Sequence, residues 1–151
     1  MMKRFLKNER GLTLIELLAV IVILGIIAAI AIPAIGAIID NSKKDAHIAN
    51  AKQLANAARM AISAEGFDTT VKTSFTMQEL YDKGYLDKIP KSPGKKSNAY
   101  DPNKSEVLIE KKTGGENITY KVKLVDSDGS FVYIDSNKDV EDLTRSDVNL
   151  E

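Results

Sequence analysis

A chain of 151 residues without a cysteine has single-domain length and excludes disulfide staples, thiol catalysis and thiolate metal sites. Its 21 basic and 21 acidic residues cancel to a formal charge of zero. The first eleven residues nevertheless carry Lys3, Arg4, Lys7 and Arg10 against Glu9 alone, a net charge of +3. An apolar run follows, and from Gly11 to Ile39 the only charged side chain is Glu16. About 20 such residues form a helix long enough to cross a hydrocarbon core of about 30 Å. A carboxylate in or near that core costs on the order of 3 kcal/mol, so Glu16 needs a partner or a function. Four cations precede the run, whereas Asp40, Lys43, Lys44 and Asp45 behind it cancel. The positive-inside rule therefore places the N-terminus in the cytoplasm and everything after Ile39 outside.

A secretory signal puts a short apolar region before a small-residue cleavage site. Here the order is reversed, because the basic leader ends at Arg10-Gly11 and the apolar helix comes afterwards. The stretch KNERGLTLIELLAVIVILGIIAAIAIPAI, with its leader, Gly11, Thr13, Glu16 five positions past the glycine, and Pro33, resembles the prepilin signature of type IV pilins and pseudopilins. The resemblance implies that a membrane aspartyl prepilin peptidase cuts between Gly11 and Leu12 and methylates the new amine of Leu12. The position after the cut is most familiar as phenylalanine and is leucine here. The resemblance further implies assembly with copies of the same chain, helped by an assembly platform and minor pilins, after storage in membrane lipid. Glu16 then faces the Leu12 amine of a neighbouring subunit. At about 4 Å and an effective dielectric near 20, that attraction is about 4 kcal/mol before desolvation is subtracted. Only one stagger of parallel helices makes the pair, so Glu16 acts as a register pin.

Pro33 removes one backbone hydrogen bond and crowds the preceding turn, which predicts a bend or loosened segment near Ala29–Pro33. Beyond Asp40 the helix should continue to about Ala64. Ile48, Ala51, Ala55, Ala58 and Ile62 share one face there, and Lys52, Asn56, Arg59 and Ser63 share another. Glu65-Gly66 supplies the stop. The two halves form one rod of about 50 residues, about 75 Å long. His47, the only histidine, is read as a solvated or partly packed side chain and not as a ligand.

In TMQELYDKGYLDKIPKSP, Thr76 and Glu79 make a capping box and Gly84 ends a short helix. Three strand-like runs follow at Val107–Glu110, Ile118–Val125 and Phe131–Ile134. In the second, Ile118, Tyr120, Val122 and Leu124 alternate with polar residues. Gly114-Gly115 and Asp128-Gly129 supply turns for an antiparallel meander that lies on the alanine stripe. The expected fold is α+β: a long N-terminal helical spine, membrane-spanning in its first half, packed on a small β-meander head, as in the pilin fold. The expected parts are a leader (1–11), a membrane and polymerisation half-helix (12–39), an amphipathic half-helix (40–65) and a globular head (66–151).

No glycine-rich phosphate loop or paired-histidine motif occurs, so no enzyme and no cofactor are expected. Asp135, Asn137 and Asp139 begin like a calcium loop, but Val140 and Ser146 stand where an EF-hand needs glycine and glutamate. Some pseudopilins hold calcium in a C-terminal loop, so Asp135, Asn137, Asp139 and Asp142 are the candidate metal ligands. A solvated acidic loop is the favoured reading. Lys83 to Lys123 holds ten lysines against five acids, and Asp135 to Glu151 six acids against two bases. Ordinary surface charge is the favoured account of that asymmetry, and the functional alternative is complementary packing of heads along a filament. A DNA-uptake filament would also give the lysines a polyanion to catch. The expected function is a structural subunit of a type IV pilus-like filament, anchored in the cytoplasmic membrane before assembly and displayed at the surface after it. The lack of cysteine fits a Gram-positive or competence-type member. The competing readings are a pseudopilin of a secretion or DNA-uptake apparatus, and a monomeric signal-anchored binding domain.

Overall fold

The uncharged apolar run after Glu16 is rich in Ile and Val, and it is its length, far beyond that of a strand, that argues for helix. The computed structural model describes residues 11, 13–66, 68, 74–94 and 96–151. Helix α1 spans Leu14–Glu65 and passes through Pro33 without interruption. It ends where the sequence places the stop: Gly66 takes φ 83° and donates its N–H to the Ile62 carbonyl at 2.9 Å. A side chain there would meet the left-handed penalty that glycine avoids.

The chain divides into two compact units, Met1–Ile38 and Ile39–Glu151. The described part of the first is the opening half of α1, and none of its residues is buried. The second unit contains the rest of α1, strand β1 (Ser74–Thr76), helix α2 (Met77–Asp82) and strands β2 (Glu106–Lys111), β3 (Ile118–Val125) and β4 (Val132–Ile134). The four strands form one antiparallel sheet in the order β1-β2-β3-β4. Register places Phe75 opposite Val107, and Val107 opposite Val122. A shift between Leu124 and Val125 at the β3–β4 pairing breaks the alternation, so both of those residues are buried.

The core joins this sheet to α1. Ala51, Leu54, Ala55, Ala57, Ala58 and Ala61 of α1 pack into one cluster with Phe75, Val107, Ile109, Val122, Leu124 and Ile134. Small side chains on the helix let the sheet approach closely. The arrangement is the α+β fold expected from the sequence, a long helix on an antiparallel sheet. Helix α2 starts with the expected capping box, Thr76 and Glu79 satisfying each other's backbone N–H groups, and stops before Gly84 at φ 81°.

Candidate functional site

Thr13 precedes the first helical residue of α1, and Glu16 is the third residue inside it. The Thr13 N–H donates to Glu16 Oε2 at 2.9 Å, and the Glu16 N–H donates to Thr13 Oγ1 at 3.3 Å. This is a second capping box, built from Thr-x-x-Glu like the one that opens α2. Two of the four orphan N–H groups at the helix start are thereby satisfied. The carboxylate also sits at the positive end of the helix dipole. Gly11 lies exposed ahead of the helix. Leu12, the other half of the expected cleavage site, lies outside the described residues, as does the basic leader through Arg10.

Past Glu16 the helix presents aliphatic side chains on all sides. Ile30 and Ile32 are 71% and 68% exposed. This helix is long and apolar enough to cross a membrane by length and composition. Pro33 is exposed within the same stretch.

Residues 6–32 match the family model described as the prokaryotic N-terminal methylation motif, the signature of type IV pilins and pseudopilins. The chain carries the type IV pilin signature. It covers the end of the leader, Gly11, Thr13, Glu16 and most of the exposed apolar helix. No curated protein and no solved structure matches the chain. The motif at residues 6–32 supports a likeness to type IV pilins and pseudopilins, and the α+β fold is compatible with it.

The head contains a polar centre that the sequence reading did not assemble. His47 is fully buried, not solvated, because Tyr100 and Tyr133 of β4 pack against its ring. Its ring stacks on Tyr133 at 4.3 Å, and its Nδ1 lies 2.7 Å from Tyr100 Oη. Asn50 donates to the same hydroxyl at 3.1 Å and to the Lys91 carbonyl at 3.1 Å. Tyr133 Oη donates to the buried Asp126 at 3.0 Å, and Ser97 also bonds that carboxylate. His47 Nε2 has no partner. Burial, with Lys43 nearby, holds its pKa down at about 4, well below the ordinary 6.5. His47 and Asn50 stand three apart on α1, and that spacing was the only sequence signal for the pair.

The C-terminal loop uses its acids locally. Asp135 accepts from the Ser136 N–H at 2.8 Å and from Asn137 Nδ2 at 3.2 Å. Asp139 accepts from the Glu141 N–H at 3.1 Å, capping a 3-10 turn at Val140–Asp142. Asp135 and Asn137 border a cavity of about 230 Å³ with Lys138 and Asp147, whereas Asp139 and Asp142 lie outside its lining. Lys138 binds Asp147 there at 2.7 Å. Among the described residues, no group of three His, Cys, Asp or Glu side chains could hold a metal.

Several charges pair within the Ile39–Glu151 unit. Arg145 grips Asp45 through two bonds of 2.7 Å. Arg59 binds Glu141 at 2.9 Å and lies 4.7 Å from the centre of the Tyr120 ring. Lys83 binds Glu65 at 2.7 Å. The first two pairs tie the C-terminal segment to α1 at points fourteen residues apart, which sequence proximity could not show.

Proposed function

We propose that the chain is a structural subunit of a type IV pilus-like filament, processed between Gly11 and Leu12 by a prepilin peptidase and assembled through the apolar half of α1. The observation that carries this reading is the methylation motif set at the start of a helix with no buried residue before its second half. Outside lipid such a surface must be covered, and parallel copies of the same helix cover it on every side. Before assembly the same segment rests in the cytoplasmic membrane, and afterwards the filament displays the head at the surface. Its partners are other copies, the peptidase, an assembly platform and minor pilins. Glu16 pairs with the processed amine of Leu12 on a neighbour and sets the stagger. Loosening near Pro33 lets the helices pack. The reading requires neither a metal nor a catalytic residue.

The test is intact mass and N-terminal peptide mapping of the protein from its native envelope. A chain that begins at N-methylated Leu12 is expected. A chain that retains Lys3 to Gly11 in cells with an active prepilin peptidase would identify a signal anchor instead.

A further inference from the structure

We propose that Lys43, Lys44, Lys91 and Lys96 form a docking surface for anionic lipid headgroups, which holds the head against the membrane before assembly. The proposal rests on the reading that segment 12–39 spans a bilayer. The four lysines are gathered at one end of the Ile39–Glu151 unit. Lys43 and Lys44 precede His47 by four and three residues on α1, and Lys43 is close enough to depress its pKa. Lys91 is tied to the same helix by its carbonyl, which accepts from Asn50. Lys96 Nζ lies 5.2 Å from the Phe131 ring centre, Phe131 packs on Tyr133 at 5.1 Å, and Tyr133 stacks on His47. Lys91 and Lys96 are exposed.

Two acids at this end are already engaged. Asp45 is held by Arg145, leaving a neutral pair. Asp126 is buried beneath Tyr133 and Ser97. Asp40 has interactions of its own. The balance is positive: with Asp45 cancelled by Arg145, four lysines stand against Asp40 and the buried Asp126, although the four charges from Asp40 to Asp45 cancel in the sequence.

Helical rise sets the scale. Ile39 closes the apolar run, and Asn50 lies eleven residues on, about 16 Å along the axis. The headgroup layer occupies about 6 Å beyond the hydrocarbon, which covers the level of Lys43 and Lys44. Lys91 and Lys96, on flexible stems, then lie within about a Debye length of the anionic surface. Continuity with a membrane segment favours lipid over nucleic acid, and no aromatic side chains stand between the lysines to stack on bases.

The full chain is reconstituted into vesicles of phosphatidylcholine alone or mixed with phosphatidylglycerol, and flotation is checked. Each lysine's acylation by a membrane-impermeant ester is then timed by peptide mass spectrometry. Lys112 serves as the internal control, because the β2–β3 turn is at the opposite end of β3 from Asp126, which bridges to Tyr100. Lys91 and Lys96 should react several-fold more slowly in the anionic vesicles, relative to Lys112, and high salt should remove the difference. Equal relative rates in floating vesicles would overturn the docking surface alone. Protection that requires added duplex DNA and not anionic lipid would overturn it in favour of a nucleic-acid surface. A chain that fails to float with either vesicle would overturn the spanning segment and the docking surface together.

Discussion

Glu16 has two candidate partners, and they compete for one carboxylate. Within a single chain it accepts the Thr13 N–H at 2.9 Å; in the proposed filament it faces a neighbour's amine. The capping box gives the carboxylate partners within the single chain, so the proposed assembly would be an exchange of partners and not the rescue of a bare carboxylate. Thr13→Val removes one side of the box and should cost about 1 kcal/mol at the helix start. Amide exchange of the first turn in detergent micelles should quicken several-fold, and Thr13→Ser should restore it. Glu16→Ala should leave cleavage at Gly11 largely intact and reduce filament number; normal filaments in that variant would remove its role as register pin. His47 makes a different prediction. Neutral imidazole bonds Tyr100 through Nδ1, whereas imidazolium carries an N–H on both nitrogens and Nε2 has no acceptor. With the folded pKa near 4 and the unfolded value near 6.5, the unfolded chain takes the proton first as pH falls. The stabilising effect is full above pH 6.5 and disappears as pH drops to 4, a loss on the order of 3 kcal/mol. Asp45, Asp128 and Asp147 are held below their ordinary range by Arg145, Ser130 and Lys138 respectively, so their contributions fail only at lower pH. Urea midpoints of the full chain in micelles should fall between pH 6.5 and 4, and His47→Phe should flatten that interval.

The elements of the head differ in how openly the sequence declares them. Strand β3 is legible because Ile118 to Leu124 alternates over a full strand length, and α2 because Thr76, Glu79 and Gly84 mark both ends. Strand β1 is only Ser74–Thr76, too short for alternation to register, and its last residue doubles as the cap of α2. Both capping boxes follow the same Thr-x-x-Glu spacing, yet Thr13–Glu16 escaped because Glu16 already had an explanation across subunits. The buried stripe of α1 was found but placed slightly off centre. Ile48 and Ile62 are only partly buried, whereas Leu54, Ala57 and Ala61 are fully enclosed. Periodicity reports which residues share a face; where the sheet lands on that face depends on partners such as Tyr133 that lie far along the chain. Alanine is required on this face by the spacing between layers. Ala58, with no exposure, should not accept a larger side chain: Ala58→Leu should destabilise the head by about 2 kcal/mol through overpacking. Lys52→Leu, on the exposed face, should change stability by no more than about 0.5 kcal/mol. Urea unfolding of both variants, with the slope compared as well as the midpoint, separates lost stability from a changed unfolded state.

At the scale of the whole molecule, a single helix serves two environments. Every buried residue among those described is at or beyond His47, so the apolar half of α1 takes no part in the core of the head. Conversely, among the described residues the large exposed hydrophobics outside Leu14 to Ile39 are only Met60 and Tyr81. Burying one aliphatic side chain is worth about 1.5–3 kcal/mol, and the segment displays enough of them that exposure to water would cost on the order of 10 kcal/mol or more. That cost is what lipid would relieve first and what a filament would relieve later. The same division makes the head separable. A chain beginning at Asp40 keeps His47, the alanine face, the sheet and both ion pairs that tie the C-terminal segment to α1. It should be soluble without detergent, run as a monomer by light scattering, and lose its near-ultraviolet tyrosine signal in one cooperative urea transition. The full chain, in the same buffer, should associate or require lipid. Aggregation of the truncated chain, or a head without fixed tyrosine packing, would show that the apolar half contributes to the fold as well as to assembly. A monomeric full chain in plain buffer would instead remove the driving force on which filament formation depends.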